Sequence, residues 1–208
     1  MDKMRVRLTL IDEMLGTAPG NEKIFEDYIA SNAPDAPSRK EEIAAIGVAA
    51  TIEKGMTVFP RDEEGNPILW NYQIKGFFKS ACKALKKFPE TRSAKIKAYK
   101  QIIDLNIFVF ADATDPAGRM IKIHLPEGGV MGNCQRPLRA QTMQGERVTL
   151  ANSETVPKGS YVEFDIVTPG TGSLDKALIE EWLEYGMFNG LNQWRNAGKG
   201  AFSYEVIA

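Results

Sequence analysis

Gly190–Gly200 reads G-L-N-Q-W-R-N-A-G-K-G and sets three glycines among an indole, two cations and three side-chain amides. Arg195 and Lys199 are the residue types that neutralise phosphate. Gln193 and Asn196 carry the paired donor and acceptor that match base edges. Trp194 offers a face on which a base can stack. The chemistry of this set is the holding of a polar, planar, anionic ligand, a nucleic acid or a nucleotide. The same residues also admit a structural reading, in which the loop tucks Trp194 under the core and caps the helix before it.

Gly132–Gln141, G-N-C-Q-R-P-L-R-A-Q, is a second candidate. Arg136 and Arg139 flank a proline, while Asn133, Gln135 and Gln141 add amides. With few apolar residues to seat it in a core, the stretch is expected to be an exposed polar loop, the kind of segment that carries function disproportionately. Its arginines serve equally well as partners for acidic residues elsewhere. A third candidate is the basic stripe Lys75, Lys79, Lys83, Lys86 and Lys87, which suits phosphate contacts that do not read sequence and also suits a solvated helix face. His124, the one histidine, falls in an alternating segment on the same face as Lys122. Asp62-Glu63-Glu64 could bind a divalent ion, but beside Gly65-Asn66-Pro67 it reads more simply as a turn. No Ser/His/Asp arrangement, phosphate-binding Walker loop or dinucleotide fingerprint is present.

Several elements must position these residues. Met4–Ile11 alternates apolar and charged residues as a half-buried strand does. Tyr72–Phe88 repeats Ile74, Phe77, Phe78, Ala81, Cys82 and Leu85 at helical spacing, and Pro89 ends it. Lys97–Ile103 extends a second helix. Leu105–Ala111 and Arg119–Leu125 read as a hairpin across Asp115-Pro116-Ala117-Gly118. Arg147–Asn152 and Tyr161–Thr168 read as another strand pair across Pro157-Lys158-Gly159. Ser173 is the expected N-cap of a helix to about Tyr185, and Ala201–Ile207 is the last strand. Between the first strand and residue 70 come short pieces: helices at Glu22–Ala30 and Arg39–Ala45, and an extended Thr57–Pro60. With the insertions removed, the order is strand, helix, strand, strand, helix, strand. That is the order of an α+β, ferredoxin-like, RRM-like core with an antiparallel sheet. The chain is expected to be one domain, 1–208, with insertions at about 12–70 and 90–145.

Composition narrows the function classes. Of 208 residues, 43% are hydrophobic and 25% charged, as in an ordinary globule. No window approaches the ~18 uninterrupted apolar residues of a membrane span, and the first residues lack the apolar core of a secretory signal. Cys82 and Cys134, far apart, suit a reducing cytoplasm and neither a zinc ribbon nor a disulfide framework. No metal or cofactor is expected. The net charge of −1 hides segregation: Asn71–Lys100 holds nine bases against Glu90 alone, a net of +8, and Ile11–Glu64 holds twelve acids against five bases, a net of −7. Such a chain suits an anionic partner, or head-to-tail contact between copies.

Trp70–Ala84 (W-N-Y-Q-I-K-G-F-F-K-S-A-C-K-A), Ala151–Val167 (A-N-S-E-T-V-P-K-G-S-Y-V-E-F-D-I-V) and Gln193–Phe202 (Q-W-R-N-A-G-K-G-A-F) together resemble three regions of RAMP-superfamily proteins, which include backbone subunits of CRISPR effector complexes. These are the entry to the first helix, a central hairpin, and the glycine-rich loop before the last strand. The whole chain is also similar to uncharacterised proteins of bacteriophages and prophages. The resemblance implies a non-enzymatic binding protein for RNA, a nucleotide or a host nucleoprotein complex, with an anti-defence role in the bacterial host cytoplasm. Its expected binding residues are Lys75, Lys79, Asn133, Arg136, Arg139, Gln193, Trp194, Arg195, Asn196 and Lys199. Two alternatives stand beside it. One is a metal-independent endoribonuclease using His124 as general acid or base, as some RAMP nucleases use histidine. The other is a self-assembling structural subunit.

Overall fold

A computed structural model describes residues 1–19, 56–115, 117–142, 145–170 and 174–207. The expected helices at Glu22–Ala30 and Arg39–Ala45, and the expected cap Ser173, lie outside these residues. The chain divides into two compact units. One comprises Met1–Met14, Pro60–Val130 and Val156–Ala208; the other comprises Leu15–Phe59 and Met131–Thr155.

The first unit is α+β and ferredoxin-like. Its strands are β1 (Asp2–Leu10), β5 (Ile68–Trp70), β6 (Phe108–Phe110), β7 (Met120–His124), β10 (Tyr161–Thr168) and β11 (Phe202–Ile207). They form one sheet in the order β11-β1-β10-β7-β5, with β6 also on β10, and every pairing is antiparallel. The last strand beside the first, and the first beside the third, is the strand order of a ferredoxin-like core. Period-two alternation along β1 buries Met4, Val6, Leu8 and Leu10 and leaves Arg5 and Arg7 on the opposite face. There the charges meet across strands: Arg7 lies directly opposite both Glu163 and Glu205, and Arg5 opposite Asp165. The Arg7 Nε donates to Glu163 Oε1 at 2.8 Å.

Helix α1 (Asn71–Leu85) starts where Trp70, extended at φ −78°, donates its backbone N–H to Gln73 Oε1 at 2.7 Å. It buries Ile74, Phe77, Phe78, Ala81 and Cys82, the stripe its spacing predicts. Helix α2 is Tyr99–Asn106. Helix α3 (Lys176–Tyr185) is capped by Asp175, whose carboxylate accepts the Leu178 N–H at 3.0 Å, and it buries Leu178, Ile179, Trp182 and Leu183. Phe77 meets Phe202 edge-on at 5.1 Å and Phe78 meets Trp182 at 5.5 Å. Each such fully buried ring contributes about 1.5–3 kcal/mol of transfer free energy. The Trp182 indole N–H is satisfied by Ser93 Oγ at 2.9 Å, and Ser93 Oγ donates to Glu181 Oε1 at 2.6 Å.

Three local expectations are corrected. β6 and β7 are not a hairpin. Both lie along β10, where Phe110 faces Asp165 and Ile123 faces Val162. A continuous strand would put residue 113 opposite Val162, so a ten-residue excursion is looped out between them. That excursion covers Asp165: the Ala113 N–H donates to Asp165 Oδ2 at 2.6 Å, and the carboxylate is fully buried beside Lys3 Nζ at 3.2 Å and Arg5 at 3.4 Å. The Gly118 N–H donates to Asp115 O at 3.0 Å, but non-local pairing with β10 replaces pairing of the two strands with each other. Secondly, β9 (Gly145–Val156) does not pair with β10; it belongs to a second sheet. Thirdly, the stretch expected as a polar loop is strand β8 (Gly132–Thr142), paired antiparallel with β9 from Gly132↔Thr155 to Thr142↔Gly145. Backbone bonding holds β8 despite its glycine, proline and polar content.

The second sheet also contains β2 (Met14–Leu15), β3 (Ala18–Pro19) and β4 (Met56–Val58), in the order β2-β9-β4-β3 with β8 on β9. β4 runs parallel to β9, and Thr57 Oγ1 donates to Ser153 Oγ at 2.8 Å. Gly16 lies so close to this strand that a Cβ there would stand 2.3 Å from the Val58 carbonyl carbon.

Candidate nucleic-acid interface

The glycine-rich loop is closed at its base by backbone hydrogen bonds. Leu191 N–H donates to Gly200 O at 2.9 Å, Gly200 N–H to Glu13 O at 2.9 Å, and Phe202 N–H to Gly186 O at 3.1 Å. Close approach explains the glycines at this base: a Cβ on Gly190 would stand 1.9 Å from Gly200 O, and one on Gly186 would stand 2.1 Å from the Phe202 ring. Leu191 is buried and anchors the base.

Above the base the backbone turns sharply. Asn192 and Trp194 adopt φ of 62° and 58°, left-handed values uncommon outside glycine. A single 3₁₀ turn, Arg195–Ala197, follows and is closed by Gly198 at φ 83°. Among the described residues, left-handed non-glycine backbone occurs also at Ala98. The conformation holds Trp194 40% exposed. Gln73, at the start of α1, donates its Nε2 to Asn192 Oδ1 at 3.1 Å and so ties the loop to that helix.

Lys199 is held by two carboxylates. Its Nζ lies 2.8 Å from Glu13 Oε1 and 3.2 Å from Asp12 Oδ1, and these contacts hold its pKa above the usual lysine value. Its charge is spent on the loop's own attachment. Arg195 is different: half-buried, its guanidinium makes no hydrogen bond or ion pair among the described residues. Asn196 is exposed and Gln193 half-exposed beside it. The loop therefore presents Gln193, Trp194, Arg195 and Asn196 together, and withdraws Lys199.

The other expected residues are placed as follows. Lys75 donates to Asp104 O at 3.0 Å and lies over the Phe108 ring at 5.8 Å, and burial pushes its pKa down. Lys79 pairs with Asp104 at 2.6 Å. These two lysines dock α2 against α1. Lys83, further along α1, and Lys87, just past its end, are exposed. In the second unit, strand alternation leaves Asn133 exposed and Arg136 only 8% exposed, on opposite faces of β8; Arg139, on the same strand, pairs with Val148 of β9. His124 stacks on Tyr161, ring centres 4.6 Å apart, and burial followed by Lys122 lowers its pKa. The Asp62 carboxylate accepts the Asn66 N–H at 2.7 Å and the Glu64 N–H at 3.0 Å, as an Asx turn does.

Gln73, Asn192, Asp12 and Glu13 are the residues that sequence reasoning missed. A glutamine at the third position of a helix is a capping signal, so Gln73 was findable. The acidic pair was not, because its partner is 187 residues away.

Among the described residues no helix is long and apolar enough to cross a membrane. No family model matches the chain, and no curated protein matches it. A solved structure does: the type III-B Cmr-beta bound to cognate target RNA, with a TM-score of 0.49 at 10% identity. The match covers 99% of this chain, which spans 59% of the length of that one.

Proposed function

We propose that this protein is a non-enzymatic, RAMP-like RNA-binding protein whose contact point is the loop Gln193–Asn196. One observation carries the reading. An exposed tryptophan is held on left-handed backbone next to an arginine with no internal partner among the described residues, on a loop clamped at its base. Backbone in a sparsely populated region persists only where its surroundings enforce it, and such positions cluster at binding sites. A base stacked on Trp194 gains about 1–3 kcal/mol, Arg195 takes the adjoining phosphate, and Gln193 and Asn196 supply edge contacts. The phage origin and anti-defence role rest on the sequence resemblance alone.

Fluorescence anisotropy of a labelled single-stranded 20-nucleotide RNA tests the proposal. The wild type is expected to bind at low salt. Trp194→Asn, which keeps a residue tolerant of left-handed backbone, and Arg195→Ala are each expected to weaken binding at least five-fold. No binding by the wild type, or binding that neither substitution changes, refutes it.

A further inference from the structure

A separate surface of the first unit lies along β11. This strand is the outermost of its sheet and pairs only with β1 among the described residues. Its outer edge carries backbone donors and acceptors without a strand to receive them, and Phe202–Ile207, F-S-Y-E-V-I, contains none of the prolines or lysines that usually protect an edge. Beside it opens a cavity of about 250 Å³ lined by Leu183, Met187, Phe188, Phe202 and Tyr204 with Glu184. Leu183 and Phe202 are fully buried and form its floor, while Met187 and Phe188 are 54% and 76% exposed. Glu184 and Glu180 face Tyr204, where they add to burial in raising the phenol pKa.

We infer that this groove receives an extended, basic segment of a partner protein, which adds a strand to β11 and seats an apolar side chain between Met187, Phe188 and Tyr204. Three features select that occupant. The unpaired edge selects extended backbone, the cavity selects an apolar side chain on one face of it, and the carboxylates of Glu180 and Glu184 select flanking lysine or arginine. A second copy fits worse. β11 carries no base, so pairing it with itself brings one acidic rim against another. The chain's own basic stretch around Lys95 and Lys97 is folded, with Ile96 3% exposed.

The test is selection from a phage-displayed library of random 12-residue peptides on the intact protein, followed by affinity measurement on the enriched peptides. Enriched sequences are expected to alternate apolar residues with lysine or arginine. Their affinity is expected to fall at least ten-fold for Phe188→Asp and for the double variant Glu180→Lys with Glu184→Lys, and to survive Trp194→Asn. Methylating alternate backbone nitrogens of a selected peptide should abolish binding. Three outcomes overturn the inference: no enrichment, enriched peptides that bind these variants as well as the wild type, or a wild-type dimer in light scattering that Phe188→Asp splits. All of the substituted side chains are at the surface, and unchanged thermal melts establish that the variants fold.

Discussion

Replacing Lys199 by methionine and Arg195 by alanine should separate what the loop needs to stand from what it needs to bind. Lys199 contacts Glu13 at 2.8 Å and Asp12 at 3.2 Å, with its side chain 19% exposed and those of the acids 32% and 45% exposed. A hydrogen bond to a charged group is worth about 1.5–3 kcal/mol when protected, and an exposed ion pair about 0–1. The partial exposure of the acids places Lys199→Met between these, at a loss of ~1–2 kcal/mol, which lowers the Tm of a chain this size by about 2–8 °C. Arg195 has no such partner among the described residues, so Arg195→Ala should shift stability by less than ~0.5 kcal/mol. Its effect should appear in RNA affinity, as a loss of about 1 kcal/mol or roughly five-fold. Calorimetric melting and RNA anisotropy on both variants give the four numbers. The assignment of roles is refuted if Lys199→Met leaves the Tm unchanged while lowering RNA affinity as much as Arg195→Ala does.

Gly190→Ala forces a Cβ against the Gly200 carbonyl and should cost several kcal/mol, whereas Gly198→Ala meets open space and only the left-handed penalty, about 1 kcal/mol; chemical denaturation compares them. Asp165→Asn removes the buried charge that holds Lys3, Arg5 and the Ala113 amide, so stability should fall by about 3 kcal/mol and amide exchange at Ala113 should quicken. His124 has a folded pKa below 6.5. The unfolded chain therefore takes up the proton first, and the stability fully present above pH 6.5 declines as pH falls through the folded pKa. Denaturation midpoints measured from pH 7.5 to pH 5 should show this slope flattened in His124→Gln; an identical slope refutes it.

The parts of the fold that could be read from sequence are those whose cause is local. The stripe of α1 was legible because residues three and four apart share a face, and β1 because its alternation is set by one buried side. The βαββαβ order came through even where pairings did not. The Gly118 N–H does donate to Asp115 O, yet which strand the flanking segments join is decided by β10, some fifty residues on, where Asp165 needs the Ala113 amide. β8 was illegible because its stability lies in backbone bonds to β9, which side-chain chemistry does not announce. In the loop, glycine could be recognised as permissive, but only the approach of Gly190 to Gly200 shows why it is required. Trp194 and Arg195 were readable as chemistry; that Lys199 is occupied by acids from the other end of the chain was not.

This occupation changes what the segment charges mean. The +8 of Asn71–Lys100 and the −7 of Ile11–Glu64 look like opposed patches, but Lys79 pairs with the Asp104 carboxylate, Lys75 donates to the Asp104 backbone carbonyl, and Lys199 takes up Asp12 and Glu13. Charges already satisfied within the first unit would release no counterions to an RNA ligand. The loop's cation without an internal partner among the described residues is Arg195, and the exposed Lys83 of α1 and Lys87 just past its end add two more if the strand extends that way. With a slope of about −0.7 per phosphate for single strands, log affinity against log salt should fall with a slope of only about −0.7 to −2. Stacking on Trp194, which salt does not screen, would supply the remainder. A slope steeper than about −4 would draw on further lysines, either the internally paired ones or the exposed Lys95, Lys97 and Lys100, and the contact point would then have to extend well beyond Gln193–Asn196.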